Sequence, residues 1–438
     1  MRYARDMTGM RVSPAAVKQR ASDWGAPMTA RDALAGVSAA NDLGTALDSL
    51  APQDDLYGDL RREFTMLYKK MAAEKDSGKG VKISLKGTLK PGQVDGAVPK
   101  LRRRLGVHYD SSYGGEMFYD DRLAAAVMTF QRKRGLEGGG VVGQQTVVLL
   151  NRGESDRIEQ IAANMERLRW MDRVKPERYI LVNIPSQLLW TVENGRAENQ
   201  MNVIVGRKDR PTKSFRADIQ GIRFNPTWTV PAGIKAKDFL PHLQEDPTYL
   251  DQKGMELYDT SGGSVRNIDP ASVDWATVSV SDLGNYRMVQ AAGDNNALGQ
   301  IRVLMSNPYD IYLHDTSTPA LFNQPERLLS SGCVRVSQPE VLAKFVLANN
   351  ENWSEEKMTK ILSSHKTVEI PADEHIPVFI VYQTIWPDRQ GNLVYGSDIY
   401  GNDNVLIKAL KDKGELKLPS LDRLPDNIDK SGKLASAR

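Results

Sequence analysis

The sequence contains little cysteine or histidine and no long apolar segment. Among 438 residues there is one cysteine, Cys333, and there are five histidines. A single cysteine excludes an internal disulfide. No run of 18 or more apolar residues is present, which excludes a transmembrane helix. The first residues are charged and include no apolar stretch, so they do not form a secretory signal.

The charge is nearly balanced, with 58 basic and 55 acidic residues and a formal net charge of +3. A nucleic-acid-binding protein usually carries a clustered basic face, and this composition indicates none. With 40% apolar and 26% charged residues, the chain has the composition of a soluble globular protein. Its length predicts two or three domains, because it exceeds what one ordinary core accommodates.

The lone cysteine lies in the stretch that carries most of the chemical information, residues 311–336. His314 precedes it by 19 positions, and such a pair is a candidate for nucleophilic catalysis because an imidazole can take the proton of a thiol. The alternation around His314 predicts a strand. Ile311 and Leu313 would face the core, while Tyr312 and His314 would share the other face.

The residues next to Cys333 fit an acyl-transfer site. Gly332 has no side chain, so a carbonyl carbon could approach the sulfur closely. The backbone N–H groups of Gly332 and Cys333 could then hold the oxyanion. Beyond this turn, the alternation places Cys333 and Arg335 on one face of a second strand.

These residues resemble the catalytic signature of the YkuD-like L,D-transpeptidases. In that family a histidine and a loop of this length precede Ser-(His or Ser)-Gly-Cys-(Val or Ile)-Arg, and Ser331 to Arg335 match five consecutive positions. The chain has Asp315 where many members have glycine, and Ser331 where many have a second histidine. Both departures resemble the long periplasmic subgroup, which carries a peptidoglycan-binding domain.

The resemblance implies acyl transfer through a thioester on Cys333. His314 would take the thiol proton, either directly or in a preformed ion pair. The thiolate would attack the carbonyl between residue three of a peptidoglycan stem, meso-diaminopimelate or L-lysine, and D-alanine at position four. D-Alanine would leave, and the side-chain amine of a second stem would form a 3-3 crosslink. The implied partners are a donor tetrapeptide, an acceptor stem and other cell-wall synthesis enzymes, and sensitivity to carbapenems is expected.

The resemblance also assigns roles around the pair. The backbone of Gly332 would bind the oxyanion, and the backbone carbonyl of Asp315 would orient His314. No cofactor or metal is implied, because Cys333 and His314 lack further ligands at metal-site spacing.

Four more residues are candidates for substrate binding. Tyr312 shares the face of His314, and Ser331 lies in the signature. The planar fork of Arg335 suits a substrate carboxylate, although a structural salt bridge fits that residue equally well. Trp228 either lines the pocket or packs in the core.

We predict a multidomain α+β protein with an all-β L,D-transpeptidase catalytic domain, an inserted cap, a three-helix peptidoglycan-binding domain and a helical scaffold region. The predicted segments are a helical scaffold region at 1–84, a peptidoglycan-binding-like domain at 85–152, a connector helix at 153–176, the catalytic domain at 177–350 with a cap at 233–287, a C-terminal part completing the catalytic or scaffold core at 351–411, and a disordered tail at 412–438.

The segment from Leu89 to Asn151 resembles the three-helix peptidoglycan-binding domain, through motifs such as Leu-x-x-Leu-Gly and Ala-Val-x-x-Phe-Gln. Considered without that resemblance, its apolar residues are core positions of a small bundle, namely Leu101, Leu105, Val127, Phe130 and Leu149. Modules of this kind can be degenerate, so glycan binding is a separate question.

From Arg178 the apolar period becomes two, which predicts strands, with a hairpin turn at Asn194-Gly195. We predict loops and short helices between Gly233 and Arg287. An apolar strand at 376–385 should pair with the strand at 393–395. A linker is predicted from Lys75 to Lys82.

Two other functions remain open at this point. One is a wall-binding scaffold whose catalytic fold is dormant, although a dormant copy need not keep the Cys333/His314 pair. The other keeps the chemistry but uses water as the acceptor, as in an L,D-carboxypeptidase or a crosslink hydrolase. Each would act in the periplasm. We therefore expect the sequence to lack an export or anchor segment and part of its first domain.

Overall fold

The computed structural model describes residues 2–8, 11–17, 28–73, 82–132, 134, 136, 139–151, 153–351 and 353–412. The predicted linker from Lys75 to Lys82 lies outside the described residues except for its last residue. The predicted tail lies outside them beyond residue 412.

Helices precede the first strand, lie between later strands and follow the last one. They are α1 (Arg2–Met7), α2 (Ala30–Ser38), α3 (Leu43–Ser49), α4 (Asp55–Ala73), α5 (Val98–Leu105), α6 (Asp121–Arg132), α7 (Gln144–Asn151), α8 (Glu154–Trp170), α9 (Ala232–Ile234), α10 (Leu240–Glu245), α11 (Tyr249–Gln252), α12 (Pro339–Val346), α13 (Glu355–Ser364) and α14 (Asn402–Asp412).

The strands begin after the connector helix. They are β1 (Arg178–Asn183), β2 (Leu188–Glu193), β3 (Arg196–Gly206), β4 (Phe215–Phe224), β5 (Trp228–Thr229), β6 (Met255–Asp259), β7 (Arg266–Ile268), β8 (Tyr286–Gln290), β9 (Ile301–Met305), β10 (Leu313–His314), β11 (Leu328–Ser330), β12 (Val334–Val336), β13 (Val368–Val381), β14 (Ile385–Pro387) and β15 (Leu393–Tyr395). The coarse prediction of N-terminal helices followed by a large sheet is therefore confirmed.

The chain divides into two compact units. The first comprises Met1–Lys175, Asn183–Ser186 and Val381–Arg438, and the second comprises Pro176–Val182 and Gln187–Ile380. In the first unit, α5, α6 and α7 surround an apolar core in which Leu101 and Val127 are fully buried. Leu105 and Phe130 pack at the edge of this core, and Leu149 is also buried, as the apolar spacing predicts.

The second unit is built on a nine-stranded sheet in the order β11-β3-β12-β10-β9-β4-β13-β1-β2, and β3 also pairs with β2. The predicted hairpin between β2 and β3 is present, with Asn194 and Gly195 both at positive φ. Helix α12 follows β12, is amphipathic and buries Leu342 and Phe345. This unit therefore also contains helices.

The segment between residues 228 and 290 forms a second, four-stranded sheet in the order β5-β8-β6-β7, with its own apolar core. Trp275, Leu257 and Met288 are buried there. The prediction of loops and short helices was correct for α9 to α11 but wrong for β6 and β7. These strands are short and flanked by turn residues, so their alternation in the sequence is weak.

Two further strand predictions need correction. The strand around His314 spans only Leu313–His314, because Asp310 adopts a positive φ of 52° that interrupts the extended chain. The strand that pairs with Leu393–Tyr395 is Ile385–Pro387, whereas the apolar residues before it end the long strand β13, which pairs with β4. Apolar composition alone does not indicate which of two adjacent segments pairs.

Candidate active site

The site is organised on the three neighbouring strands β9, β10 and β12. Strand β10 runs parallel to β12, with Leu313 opposite Val334 and His314 opposite Arg335. It runs antiparallel to β9, with His314 opposite Arg302. Residues opposite one another on adjacent strands project to the same face of a sheet. His314 therefore lies between two arginines.

Cys333 joins this face from the turn before β12. The Val334 N–H donates to the Tyr312 carbonyl at 3.0 Å, which continues the parallel register by one residue and places Tyr312 beside Cys333. His314 is then a diagonal neighbour of Cys333 across this parallel pair. The two side chains therefore share one face of the sheet.

His314 is 5% exposed, and its tautomer follows from one contact. Its Nδ1 lies 2.6 Å from the backbone carbonyl of Asp315, which can only accept a hydrogen bond. The proton is therefore on Nδ1, and Nε2 is the basic nitrogen. Burial lowers the pKa of His314 to about 3, reinforced by the charges of Arg335 and Arg302. The imidazole is neutral at pH 7.

The side chain of Asp315 fixes the turn that precedes β9. Its carboxylate accepts from the Gln300 N–H at 2.9 Å, and its own N–H donates to the Ile301 carbonyl at 2.9 Å. Gly299 has a positive φ of 62°, and a Cβ there would meet the Asp315 carboxylate at 2.3 Å. The carboxylate therefore occupies the space that this glycine leaves open. This packing secures the carbonyl that orients His314.

The thiol of Cys333 is half-buried and donates to the Asp310 carbonyl at 3.6 Å. Burial raises the pKa of Cys333, and the charges of Arg302 and Arg335 oppose that effect. Burial also raises the pKa of Tyr312 to about 12, so its hydroxyl remains protonated beside the sulfur. With a depressed pKa on His314 and a raised pKa on Cys333, the resting pair is a neutral imidazole and a thiol. This disfavours the preformed ion pair.

The turn before Cys333 is held by hydroxyl groups. Ser330 Oγ donates to the Cys333 carbonyl at 2.6 Å and accepts from the Gly332 N–H at 3.1 Å. Thr212 Oγ1 donates to the Gly332 carbonyl at 2.8 Å. Gly332 has a positive φ of 123°, a conformation that favours glycine.

This turn revises the expected oxyanion donor. The Gly332 N–H already has an acceptor, so it is not free as the sequence had suggested. The Cys333 N–H has no hydrogen-bond acceptor among the residues that the structure describes. The N–H of Cys333 itself is therefore the available donor in this turn.

Two predicted substrate-binding residues have other neighbours. Ser331 Oγ accepts a hydrogen bond from Arg210 at 3.0 Å, and the same guanidinium forms a two-point ion pair with Asp238 of the four-stranded-sheet region. Trp228 is half-buried in the core of that region, with its ring edge-on to Phe239 at 6.1 Å. The position of Trp228 is that of a core residue.

Arg302 is a site residue that the sequence analysis missed. Its guanidinium lies over the ring of Tyr312, 4.1 Å from the ring centroid. The only signal in the sequence is an arginine between the apolar residues Ile301 and Val303. That signal could not reveal that β9 would lie next to β10.

Among the described residues, no group of three His, Cys, Asp or Glu side chains could hold a metal ion.

No helix among the described residues has the length and apolar character needed to cross a membrane.

Comparison with protein families gives two matches along the chain. Residues 177–370 match the L,D-transpeptidase catalytic domain model of the YkuD family, and residues 1–64 match a model described as a scaffold domain. The first match contains every strand that forms the site.

Among curated proteins, the chain is 38% identical over 258 residues to a Haemophilus influenzae protein named "Putative L,D-transpeptidase". That alignment covers 58% of this chain and 50% of the relative, so the chain spans about half the length of the relative that it matches.

Two solved structures are similar to parts of the chain. An L,D-transpeptidase from Xylanimonas cellulosilytica is 13% identical, covers 68% of this chain and 99% of its own, and gives a TM-score of 0.22. An L,D-transpeptidase from Stackebrandtia nassauensis is 15% identical, covers 67% and 94%, and gives a TM-score of 0.23. These scores are too low to support a conclusion. Residues 177–370 of this chain match the L,D-transpeptidase catalytic domain of the YkuD family, and the curated relative carries the same family description in its name.

Proposed function

We propose that the protein is a peptidoglycan L,D-transpeptidase that forms 3-3 crosslinks through a thioester on Cys333 and releases D-alanine. The observation that carries this proposal is the hydrogen bond between His314 Nδ1 and the Asp315 carbonyl at 2.6 Å. It leaves Nε2 unprotonated on the face that also holds the thiol. A neutral general base on the same sheet face as a protonated thiol is a suitable starting state for concerted attack on an amide carbonyl.

In the first half-reaction, His314 Nε2 accepts the proton of Cys333 as the sulfur attacks the carbonyl of stem residue three. The C–N bond to D-alanine then breaks, and the proton passes from His314 to the leaving amine. In the second half-reaction, the side-chain amine of another stem attacks the thioester. His314 takes a proton from this amine, the C–S bond breaks as the new amide bond forms, and the released sulfur of Cys333 accepts that proton to re-form the thiol.

The oxyanion of each tetrahedral intermediate binds the Cys333 N–H, which has no acceptor among the described residues. A single donor of this kind is typically worth about 10²–10³ in rate. Gly332 contributes through its backbone conformation rather than through its own N–H, which binds Ser330.

The remaining parts of the chain have supporting roles in this proposal. The four-stranded-sheet region acts as a cap over the acyl-binding face, to which Arg210 ties it through Asp238 and Ser331. The helical module of α5 to α7 acts as a peptidoglycan-binding domain, and the protein acts in the periplasm. Carbapenems, which acylate thiols of this type, would inhibit it.

The test is the mass of the intact protein after incubation with a disaccharide-tetrapeptide. We expect an adduct equal to the donor minus D-alanine, together with a crosslinked dimer product. Cys333→Ala should give neither, while its thermal unfolding temperature should stay near that of the wild type. An unchanged protein mass and unchanged substrate, with a folded wild-type protein, would refute the proposal in favour of a dormant wall-binding protein.

The same incubation separates transfer from hydrolysis. A transpeptidase converts most of the thioester into dimer, whereas an L,D-carboxypeptidase releases the tripeptide. Tripeptide as the sole product would assign water as the acceptor. It would leave the roles of Cys333 and His314 intact.

A further inference from the structure

Arg302 and Arg335 form a pair of cations at the site for which the described residues provide no anion. Both lie directly opposite His314, one on each neighbouring strand, and both are half-buried. Neither guanidinium forms an ion pair with any described acidic residue. The Nε atom of each is buried and has no hydrogen-bond acceptor in the described part of the chain.

This arrangement is unusual because buried cations normally have an anionic partner. Removing a guanidinium from water is costly unless hydrogen bonds and charge compensate it. Elsewhere in the same unit, the half-buried arginines have such partners, as Arg210 has Asp238 and Arg223 has Glu369. The π face of Tyr312 compensates Arg302 only in part. Two half-buried cations without an anion therefore indicate a ligand anion.

The position of His314 indicates which ligand anion the two arginines would bind. In the proposed reaction, His314 gives its proton to the leaving nitrogen, so this nitrogen must lie at the imidazole. A free carboxylate of the leaving residue is only two bonds from that nitrogen, through its Cα atom. Arg302 and Arg335 flank the imidazole on both sides, so a carboxylate at this distance lies within reach of their guanidinium groups.

We propose that Arg302 and Arg335 together bind the free terminal carboxylate of the leaving residue of the acyl donor. This inference rests on the proposed function, and it adds a specificity-determining residue, Arg302. Planar guanidinium groups match a carboxylate with two parallel hydrogen bonds, which an ammonium group cannot do.

The experiment compares two acyl donors, and each donor is tested with the wild type and with arginine variants. The full-length protein is mixed with a disaccharide-tetrapeptide or with the same donor bearing a C-terminal carboxamide, and kcat/KM for adduct formation is measured by mass spectrometry. We expect the wild type to prefer the free acid by about 10- to 100-fold, the range for a charge-assisted hydrogen bond. Arg302→Gln should reduce this preference at least fivefold, mainly because kcat/KM for the free acid falls.

Three further variants make the result specific. Arg335→Gln should lose the preference in the same way, and Arg302→Lys should retain an intermediate preference. Arg223→Gln is the matched control, since Arg223 lies opposite Arg302 on β4 but is already paired with Glu369. It should leave the preference unchanged. Because the measured quantity is a ratio between two donors, an altered reactivity of the thiol cancels.

The outcomes distinguish this inference from the proposed function. A wild type that forms the adduct equally well with both donors would refute the carboxylate subsite while the proposed function stands. Equal losses on both donors in Arg302→Gln would also refute it, because the residue would then act only on the thiol or on folding. A wild type that forms an adduct with neither donor would refute both proposals.

Discussion

We predict that His314 stays neutral, with its proton on Nδ1, at neutral and mildly acidic pH. This prediction follows directly from the geometry of the site. The ring is 5% exposed and lies between two arginines, and its Nδ1 bonds a carbonyl. Burial and the like charges lower its pKa to about 3, whereas the ordinary value is 6.5. The carbonyls of Asp315 and Leu298 favour the protonated ring, but they do not outweigh burial.

This difference in pKa has a consequence for stability. Between pH 6.5 and pH 3 the unfolded chain binds a proton at His314 that the folded chain does not, so stability rises with pH in this range and is lost as the pH falls. Each pH unit in this window changes the free energy of unfolding by about 1.4 kcal/mol. From pH 6.5 to pH 4 the contribution is therefore about 3 kcal/mol.

The charge and tautomer are measured by NMR of the full-length protein with isotope-labelled histidine. Only five histidines are present, so the spectrum is sparse, and His314→Gln identifies the resonance of His314 by its disappearance. We expect that resonance to keep the shifts of the Nδ1–H tautomer from pH 8 to pH 4.5. In the same interval, denaturant unfolding of His314→Gln should depend less steeply on pH than unfolding of the wild type.

A resonance that titrates with a midpoint near 6.5 would refute this reasoning, since burial and the arginines would then have no net effect. A ring protonated at pH 7 would refute it more strongly. It would indicate an ion pair with the thiolate of Cys333 and would reverse the proposed order of proton transfer.

Three further predictions concern the thiol, its turn and the cap. Alkylation of Cys333 by iodoacetamide should rise about tenfold per pH unit from pH 7 to pH 9, because its pKa is raised by burial; a plateau below pH 8 would contradict this. Gly332→Ala should lower adduct formation at least tenfold with the fold retained, since an L residue at φ 123° is strained by about 1–3 kcal/mol; wild-type rates would exclude that role. Asp238→Asn removes a partly exposed ion pair with Arg210 that is worth about 1 kcal/mol. Amide hydrogen exchange in the four-stranded-sheet region should therefore become about fivefold faster. Unchanged exchange would show that this ion pair does not stabilise the region.

The sequence predicted the elements with strong local signals. The hairpin at Asn194-Gly195 follows from turn chemistry, and the structure contains it together with the predicted connector helix, α8. The two short strands β6 and β7 were missed because each contains only a few residues between turns. The partner of β15 was assigned wrongly because pairing depends on contacts that are distant in sequence.

The sequence by itself determined which residues could carry the proposed chemistry. A single cysteine, a histidine 19 residues before it and a glycine beside it indicate nucleophilic acyl transfer, because these residue types have few other uses in that arrangement.

Only the tertiary structure decided how the groups act. The parallel register of β10 and β12, and the position of β9 beside them, place Arg302 and Arg335 on both sides of His314 and keep that ring neutral. The Ser330 hydroxyl accepts from the Gly332 N–H, while the N–H of Cys333 has no acceptor among the described residues, so it is the proposed oxyanion donor. Strand neighbours and hydrogen-bond partners are set by long-range packing, which no local pattern in the sequence encodes.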